Sequence, residues 1–147
     1  MGRDTAIAAR EEDRPASRVP GVAELLGAGV FLSTPLESAT DLGGLEVVIV
    51  GSPAAAAAAA ERLAFCGCAV VAVTAERSFG AAERARVRQR LNVTLLAGME
   101  LVCADGIGRL ESLVLRKIST GHISAIRADV LFVLPEGSPE ANRSTKL

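Results

Sequence analysis

The chain is poor in aromatic residues. Its 147 residues include four Phe, no Trp and no Tyr, so it lacks the stacking surfaces that proteins use to bind single-stranded nucleic acids. A net charge of −1 provides no strong attraction to nucleic acid or to an anionic membrane. No window approaches the length of about 18 apolar residues that a membrane-spanning helix requires. We therefore expect neither nucleic acid nor a membrane among its partners.

Cysteine and histidine are also scarce. The three cysteines, Cys66, Cys68 and Cys103, form an odd set, which is typical of reduced thiols in the cytoplasm. The one-residue spacing of Cys66 and Cys68 suits chelation poorly, and the single histidine, His122, lies in a predicted turn, so no metal site is predicted. Cys103 is predicted to be a core residue. No nucleophile–histidine–acid arrangement is visible, so we name no catalytic residue.

Small aliphatic residues make up most of the apolar half of the sequence, including seven consecutive alanines at 54–60. A charged fraction of 22% and a mean hydropathy of +0.35 are typical of a folded domain. The central part alternates between β-branched runs and helix-forming stretches, which predicts a parallel sheet with right-handed crossovers. The predicted strands are 46–50, 68–74 and 92–96. The predicted helices are 53–65, with Ser52 as N-cap and Pro53 at the first helical position, and 80–91.

The pattern changes after Gly98, where short runs are separated by glycine-containing turns. The runs at 99–104, 109–116 and 123–128 predict an antiparallel meander, and 129–134 predicts a return to the parallel sheet. The expected fold is a Rossmann-like three-layer α/β domain with a parallel sheet and an antiparallel three-stranded meander. The expected organisation is an N-terminal strand (4–9) and charged linker over 1–20, the Rossmann-like domain over 21–136 and a polar tail over 137–147.

A glycine turn joins the first predicted strand to the alanine-rich helix. Such a turn lets a pyrophosphate approach the backbone at a helix N-terminus, where free N–H groups and the helix dipole favour an anion. The turn keeps the first glycine of the dinucleotide fingerprint, but Pro53 stands at its middle glycine and has no N–H. The turn is interpreted either as a weak pyrophosphate site or as a capped structural helix. The candidate contacts are Gly51, Ser52, Ala54 and Ala55.

A second group of candidates follows the strand 68–74. Glu76 lies about 20 residues beyond the turn, where an acid accepts the ribose hydroxyls of NAD and repels the extra phosphate of NADP. The alternative is an exposed loop acid. Arg77 is the best candidate for a phosphate contact. The arginines at 84, 86, 88 and 90 occupy alternate positions, so we expect them to form a solvated helix face.

The order of these segments resembles the NAD(P)-binding domain of the thioredoxin reductase family. The resemblance rests on Pro20-Gly21 followed by the stretch 24–30, on the strand and turn at 46–51, on the meander and return strand at 105–133, and on residues 5–9. It implies a domain that binds NAD(H) or NADP(H) beside a flavin domain, with NAD favoured here because of Glu76.

The sequence departs from that family at its reactive positions. The family's Cys-x-x-Cys falls near Ser33-Thr34-Pro35-Leu36, where no cysteine occurs, and disulfide exchange requires a thiolate. The first arginine of the family's NADPH motif is missing near 74–77, and a flavin-side motif near 135–139 is only partly present. Most of the flavin domain has no counterpart, so FAD binding by this chain alone is not expected.

These departures lead to three hypotheses. The first is a degenerate dinucleotide-binding module, redox-inactive by itself, that binds NAD(H) or NADP(H) weakly. The second is a non-catalytic interaction or regulatory protein that retains the fold. The third is a fragment of a longer FAD-dependent oxidoreductase. A homodimer, or a heteromer with a flavoprotein-like chain that supplies the flavin, is the expected assembly.

Overall fold

The computed structural model describes residues 18–32 and 42–135. The predicted strand at 4–9, most of the charged linker, positions 33–36 and the polar tail lie outside the described residues. The described part contains a parallel five-stranded sheet, an antiparallel three-stranded sheet and two helices. The expected fold class, three-layer α/β with a meander, is confirmed.

The elements follow the predicted order closely. In chain order they are β1 (Val30–Phe31), β2 (Glu46–Val50), α1 (Pro53–Ala64), β3 (Ala69–Thr74), α2 (Ala81–Val87), β4 (Val93–Ala97), β5 (Met99–Asp105), β6 (Ser112–Lys117), β7 (Ile123–Arg127) and β8 (Val130–Val133). The parallel sheet has the order β1-β8-β2-β3-β4, and the antiparallel sheet has the order β5-β6-β7.

The parallel sheet is covered on both faces, as the continuous β-branched run of β2 predicts. Val47 and Ile49 face the core that α1 and α2 close, whereas Val48 faces the core that the meander closes. On the meander side, Leu113 and Leu115 of β6 are fully buried. The alternation along β2 therefore divides the interior into two cores, one for each face of the sheet.

The alanine tract forms the buried face of α1. Ala56, Ala57, Ala60 and Leu63 are completely buried, so a run that looks like low complexity in the sequence is a packing surface. Alanine has the highest helix propensity, and its small side chain lets the helix lie close to the sheet. The helix begins where predicted, with Ser52 as N-cap and proline in the first turn.

Three details differ from the sequence-based expectations. Helix α2 ends at Val87 rather than near 91, since the Arg90 N–H donates back to the Val87 carbonyl and the chain turns toward β4. The short strand β1 was not predicted, because two residues that follow a glycine-rich stretch carry no periodic signal. Cys103 is only half-buried, because a bulge in β5 between Leu101 and Cys103 disrupts the regular alternation of faces.

Candidate dinucleotide site

The predicted nucleotide turn lies at the carboxyl edge of the parallel sheet. Strand β2 has β3 on one side, reached through α1, and β8 on the other. This arrangement makes the carboxyl ends of β2 and β8 a topological switch point, where open α/β sheets bind their ligands. The turn that follows β2 therefore stands at the position in the fold that suits a ligand best.

The N-terminus of α1 is largely satisfied by its own cap. The Ser52 hydroxyl accepts a hydrogen bond from the Ala55 N–H at 3.4 Å, and the Ser52 carbonyl accepts one from the Ala56 N–H at 2.8 Å. Pro53 has no N–H to offer. Within the described residues, this leaves the Ala54 amide as the first-turn donor without an acceptor. A ligand at this terminus would thus find one free amide beside the Ser52 hydroxyl.

Gly51 joins β2 to α1, with β3 on one side and the Leu134 side chain on the other. Its N–H donates to the Val73 carbonyl at 3.0 Å, which extends the pairing of β2 with β3. On the other side, a Cβ at position 51 would lie 3.0–3.2 Å from three atoms of the Leu134 side chain. Leu134 is buried and follows β8. The missing side chain of Gly51 therefore makes room for Leu134 within the protein itself.

Glu76 and Arg77 are exposed in the loop that follows β3. The loop is shaped by the buried hydroxyl of Thr74, which accepts the Glu76 N–H at 3.3 Å, and by the Glu76 carbonyl, which accepts the Gly98 N–H at 2.7 Å. These bonds fix the backbone of Glu76 and leave its carboxylate in solvent. Arg77 forms no ion pair within the described residues.

The structure brings most of the predicted site residues to one edge. Gly51, Ser52 and Ala54 follow β2, and Glu76 and Arg77 follow the adjacent β3, so both groups leave neighbouring parallel strands at their carboxyl ends. Ala55 is different, because its side chain is buried and its amide is bonded to the cap.

Sequence reasoning did not identify two residues that shape this edge, Thr74 and Leu134. A threonine two residues before the loop acid is a recognisable signal, since Thr hydroxyls often accept an N–H two residues further on. Leu134 gave no comparable signal, because its contact with Gly51 joins distant parts of the chain.

The cysteines do not form a second site. Burial first, and then the neighbouring Cys66, raises the pKa of the Cys68 thiol, whose Sγ donates to the Leu63 carbonyl at 3.2 Å. Burial first, and then the charge of Asp105, raises the pKa of Cys103. Thiols of this kind are poor nucleophiles near neutral pH. Among the described residues, no group of three or more His, Cys, Asp or Glu side chains could hold a metal ion.

The fold is shared with thioredoxin reductases. The structure of the enzyme from T. acidophilum superposes with a TM-score of 0.72 at 19% identity, over 80% of this chain and 39% of that chain. Similar values are found for the thioredoxin reductases from Gloeobacter violaceus, at 0.70 and 23%, and Giardia duodenalis, at 0.69 and 21%. The resemblance inferred from the sequence is thereby confirmed at the level of the fold.

The extent of the match is as informative as its quality. This chain spans about two fifths of the thioredoxin reductases it matches, since it covers 39%, 37% and 42% of the three chains named above. No family model and no curated relative matches the sequence. Within the described residues, no helix is long and apolar enough to cross a membrane.

Proposed function

We propose that this chain is a degenerate dinucleotide-binding unit of the thioredoxin reductase type, which holds NAD(H) weakly and in preference to NADP(H). The observation that supports this most directly is the placement of the α1 N-terminus and the Glu76 loop at the carboxyl ends of adjacent strands. That placement suits a pyrophosphate beside the helix and a ribose beside the acid.

The residues present fit such a ligand in part. The Ser52 hydroxyl and the Ala54 amide would hold a phosphate oxygen, and the exposed Glu76 carboxylate would accept the ribose hydroxyls. Proline at position 53 removes one amide from the site, and a hydrogen bond to a charged group is worth about 1.5–3 kcal/mol. Its loss corresponds to about 10- to 150-fold in affinity, so binding is expected to be weak.

The preference between the two nucleotides follows from charge. A carboxylate beside the ribose favours hydroxyl groups and repels a 2′-phosphate. Arg77 lies next to Glu76 in the same exposed loop and would offset part of that repulsion. NAD(H) is therefore expected to bind more tightly than NADP(H), with a modest difference.

The chemistry of such a unit would be completed by other parts of an assembly. Bound NADH would supply a hydride, while Ser52, Ala54 and Glu76 would bind and orient the nucleotide. The stretch 33–36 contains no cysteine, so the chain by itself is proposed to be redox-inactive toward disulfides.

Flavin would be supplied by a partner chain in a heteromer, or by further sequence if this chain is part of a longer oxidoreductase. A homodimer is the alternative assembly. The cytoplasm is the proposed compartment, because the cysteine count is odd.

A non-catalytic role is the alternative that a specific observation favours. Gly51 makes room for Leu134, and the α1 cap engages the Ala55 amide. Both features are accounted for by packing and capping alone. If no nucleotide binds, the retained fold would serve as a scaffold for contacts with other proteins.

Calorimetric titration with NADH and with NADPH tests the proposal. Saturable binding of NADH is expected, weakened by Glu76→Ala and left unchanged by Glu111→Ala, which removes an exposed acid elsewhere in the chain. Replacing Pro53 with Gly should tighten binding, since it restores an amide. Absence of binding at millimolar concentrations of both nucleotides would refute the proposal, and equal effects of the two Glu variants would exclude Glu76 from the site.

A further inference from the structure

A cluster of arginines surrounds a concave surface at the C-terminal end of α2. The concavity has a volume of about 230 Å³ and is lined by Ala85, Arg86, Arg88, Gln89 and Arg90. The sequence predicted these arginines to be a solvated helix face, and Arg86 and Arg88 are indeed exposed. The structure adds that three of them border one depression, because α2 stops at Val87 and the chain turns there.

Two of these guanidinium groups are held by neighbours in α1 or at its end. Arg86 Nε lies 3.0 Å from Glu61 Oε1, and the Arg90 guanidinium lies over the Phe65 ring, 4.0 Å from its centre. Stacking uses the face of a guanidinium and leaves its N–H donors, which lie in the plane, available for carboxylate oxygens. Arg88 forms no ion pair within the described residues. The three arginines therefore make this surface positively charged, and contacts with α1 and Phe65 already hold two of their guanidinium groups in place.

Large apolar side chains are exposed beside the concavity. Phe65 is 69% exposed despite its contact with Arg90, and Leu91, the next residue along the chain, is completely exposed. Arginine and aromatic side chains are enriched in the parts of protein interfaces that contribute most to binding, and exposed Leu91 adds apolar area beside them. We refer to Phe65, Arg86, Arg88, Arg90 and Leu91 as the α2 surface.

We propose that the α2 surface docks an acidic peptide segment of a partner protein, with carboxylates against the arginines and an apolar side chain against Phe65 and Leu91. Charge complementarity argues for this occupant, because the surface carries three arginines and Glu61 is the acid paired with one of them. A small inorganic anion would contact the guanidinium groups but would not bury Phe65 or Leu91. A peptide can bury the apolar residues and satisfy the guanidinium groups together.

The α2 surface is separate from the proposed nucleotide site. Phe65 ends α1 and Asn92 precedes β4, so this surface lies toward the amino ends of the parallel strands. The Gly51 turn and Glu76 lie at the carboxyl ends. A failure to bind nucleotide therefore leaves the peptide-docking proposal intact. A failure to bind the peptide likewise leaves the proposed nucleotide site intact.

Fluorescence anisotropy with labelled synthetic peptides tests the proposal. The probe is a peptide of Glu-Glu-Leu repeats, and the matched peptide has Gln in place of every Glu. We expect saturable binding of the acidic peptide that weakens as salt is added, and much weaker binding of the Gln peptide. Arg88→Gln and Leu91→Ser should each lower the affinity about five-fold. Arg109→Gln, which removes an exposed charge from the hairpin between β5 and β6, should leave it unchanged.

The variants separate this proposal from its alternatives. Leu91 is fully exposed, so Leu91→Ser should retain the far-UV circular dichroism and thermal midpoint of the parent. Equal binding of the two peptides, or equal effects of Arg88→Gln and Arg109→Gln, would overturn the proposal. Displacement of the peptide by inorganic phosphate together with no effect of Leu91→Ser would identify a simple anion site instead, which would also overturn it.

Discussion

Leu134 packs directly over the α-carbon of Gly51. A Cβ at position 51 would lie 3.0 Å from Leu134 Cδ1 and 3.1 Å from Leu134 Cβ. This contact joins the residues that follow β2 and β8 at the switch point of the sheet. Glycine at the start of a nucleotide turn is usually explained by the approach of a phosphate. Here packing between the residues that follow two strands also favours glycine, because a side chain at position 51 would press on Leu134.

Replacing Gly51 with Ala should destabilise the protein, because the added methyl group forces Leu134 to shift. Overpacking of this kind costs about 1–3 kcal/mol. Urea denaturation followed by circular dichroism measures the change in the free energy of unfolding. A free energy of unfolding equal to that of the parent would show that Leu134 moves aside at no cost.

The double variant Gly51→Ala, Leu134→Ala provides the control. Leu134→Ala alone removes buried apolar contacts and is expected to be destabilising. If the two residues interact as described, the double variant should be less destabilised than the sum of the single variants. Additive effects would contradict the contact.

Much of the fold could be predicted from the sequence because its signals are local. The β-branched run of β2, the Ser52-Pro53 start of α1 and the glycine turns of the meander each specify their own structure. The contacts of the candidate site are different. The contact between Gly51 and Leu134, and the bond from Gly98 to the Glu76 carbonyl, join residues that are distant in the chain. The alternation of strands and helices predicts which strands are neighbours, but it does not specify which residues beyond their ends touch.

Gly21 lies against the meander, where its lack of a side chain is essential. Its φ is +88°, and a Cβ there would lie 1.8 Å from the Ala104 carbonyl oxygen. The same contact region is held by a hydrogen bond from the Ala104 N–H to the Pro20 carbonyl at 2.9 Å. Gly21→Ala should therefore strongly destabilise the packing of the 18–32 segment on β5.

Gly27 is a matched control for this substitution. It has a similar φ of +80°, but no atom lies within 4 Å of the place its Cβ would occupy. Gly27→Ala should lose about 1–2 kcal/mol through backbone strain alone, whereas Gly21→Ala should lose considerably more because it adds a clash. Thermal unfolding of both variants measures the difference. Equal losses would show that the segment can move away from Ala104.

Asn92 connects the end of α1 to the start of β3. Its Nδ2 donates to the Ala64 carbonyl at 3.1 Å and to the Cys68 carbonyl at 2.8 Å. Asn92→Ala removes both donors from part-buried acceptors, which should cost about 1–3 kcal/mol. Asn92→Asp retains the size but not the donors and should be destabilising as well. Chemical denaturation tests both variants, and an unchanged midpoint for either would show that water replaces the amide.

The raised pKa values of Cys68 and Cys103 predict slow chemical modification of these two thiols in the folded protein. Burial first, and then Cys66, raises the pKa of Cys68, so at pH of about 8 its thiolate is rarer than in the unfolded chain. Alkylation by iodoacetamide, mapped by mass spectrometry, should be slower at Cys68 in the native protein than in urea, because the thiolate is rarer there and the side chain is buried. Asp105→Asn should speed alkylation of Cys103, because the Asp105 charge contributes to the raised pKa of that thiol.

The same shift determines how stability depends on pH. Because the folded pKa of Cys68 lies above its unfolded value of 9.0, the folded state retains the proton longer. The thiol's contribution is therefore present in full below pH 9 and is lost as pH rises through the folded pKa. Cys68→Ala should show a smaller loss of stability over that alkaline range than the parent, as measured by urea denaturation at several pH values. A loss equal to that of the parent would show that Cys68 ionises in the folded protein as readily as in the unfolded chain.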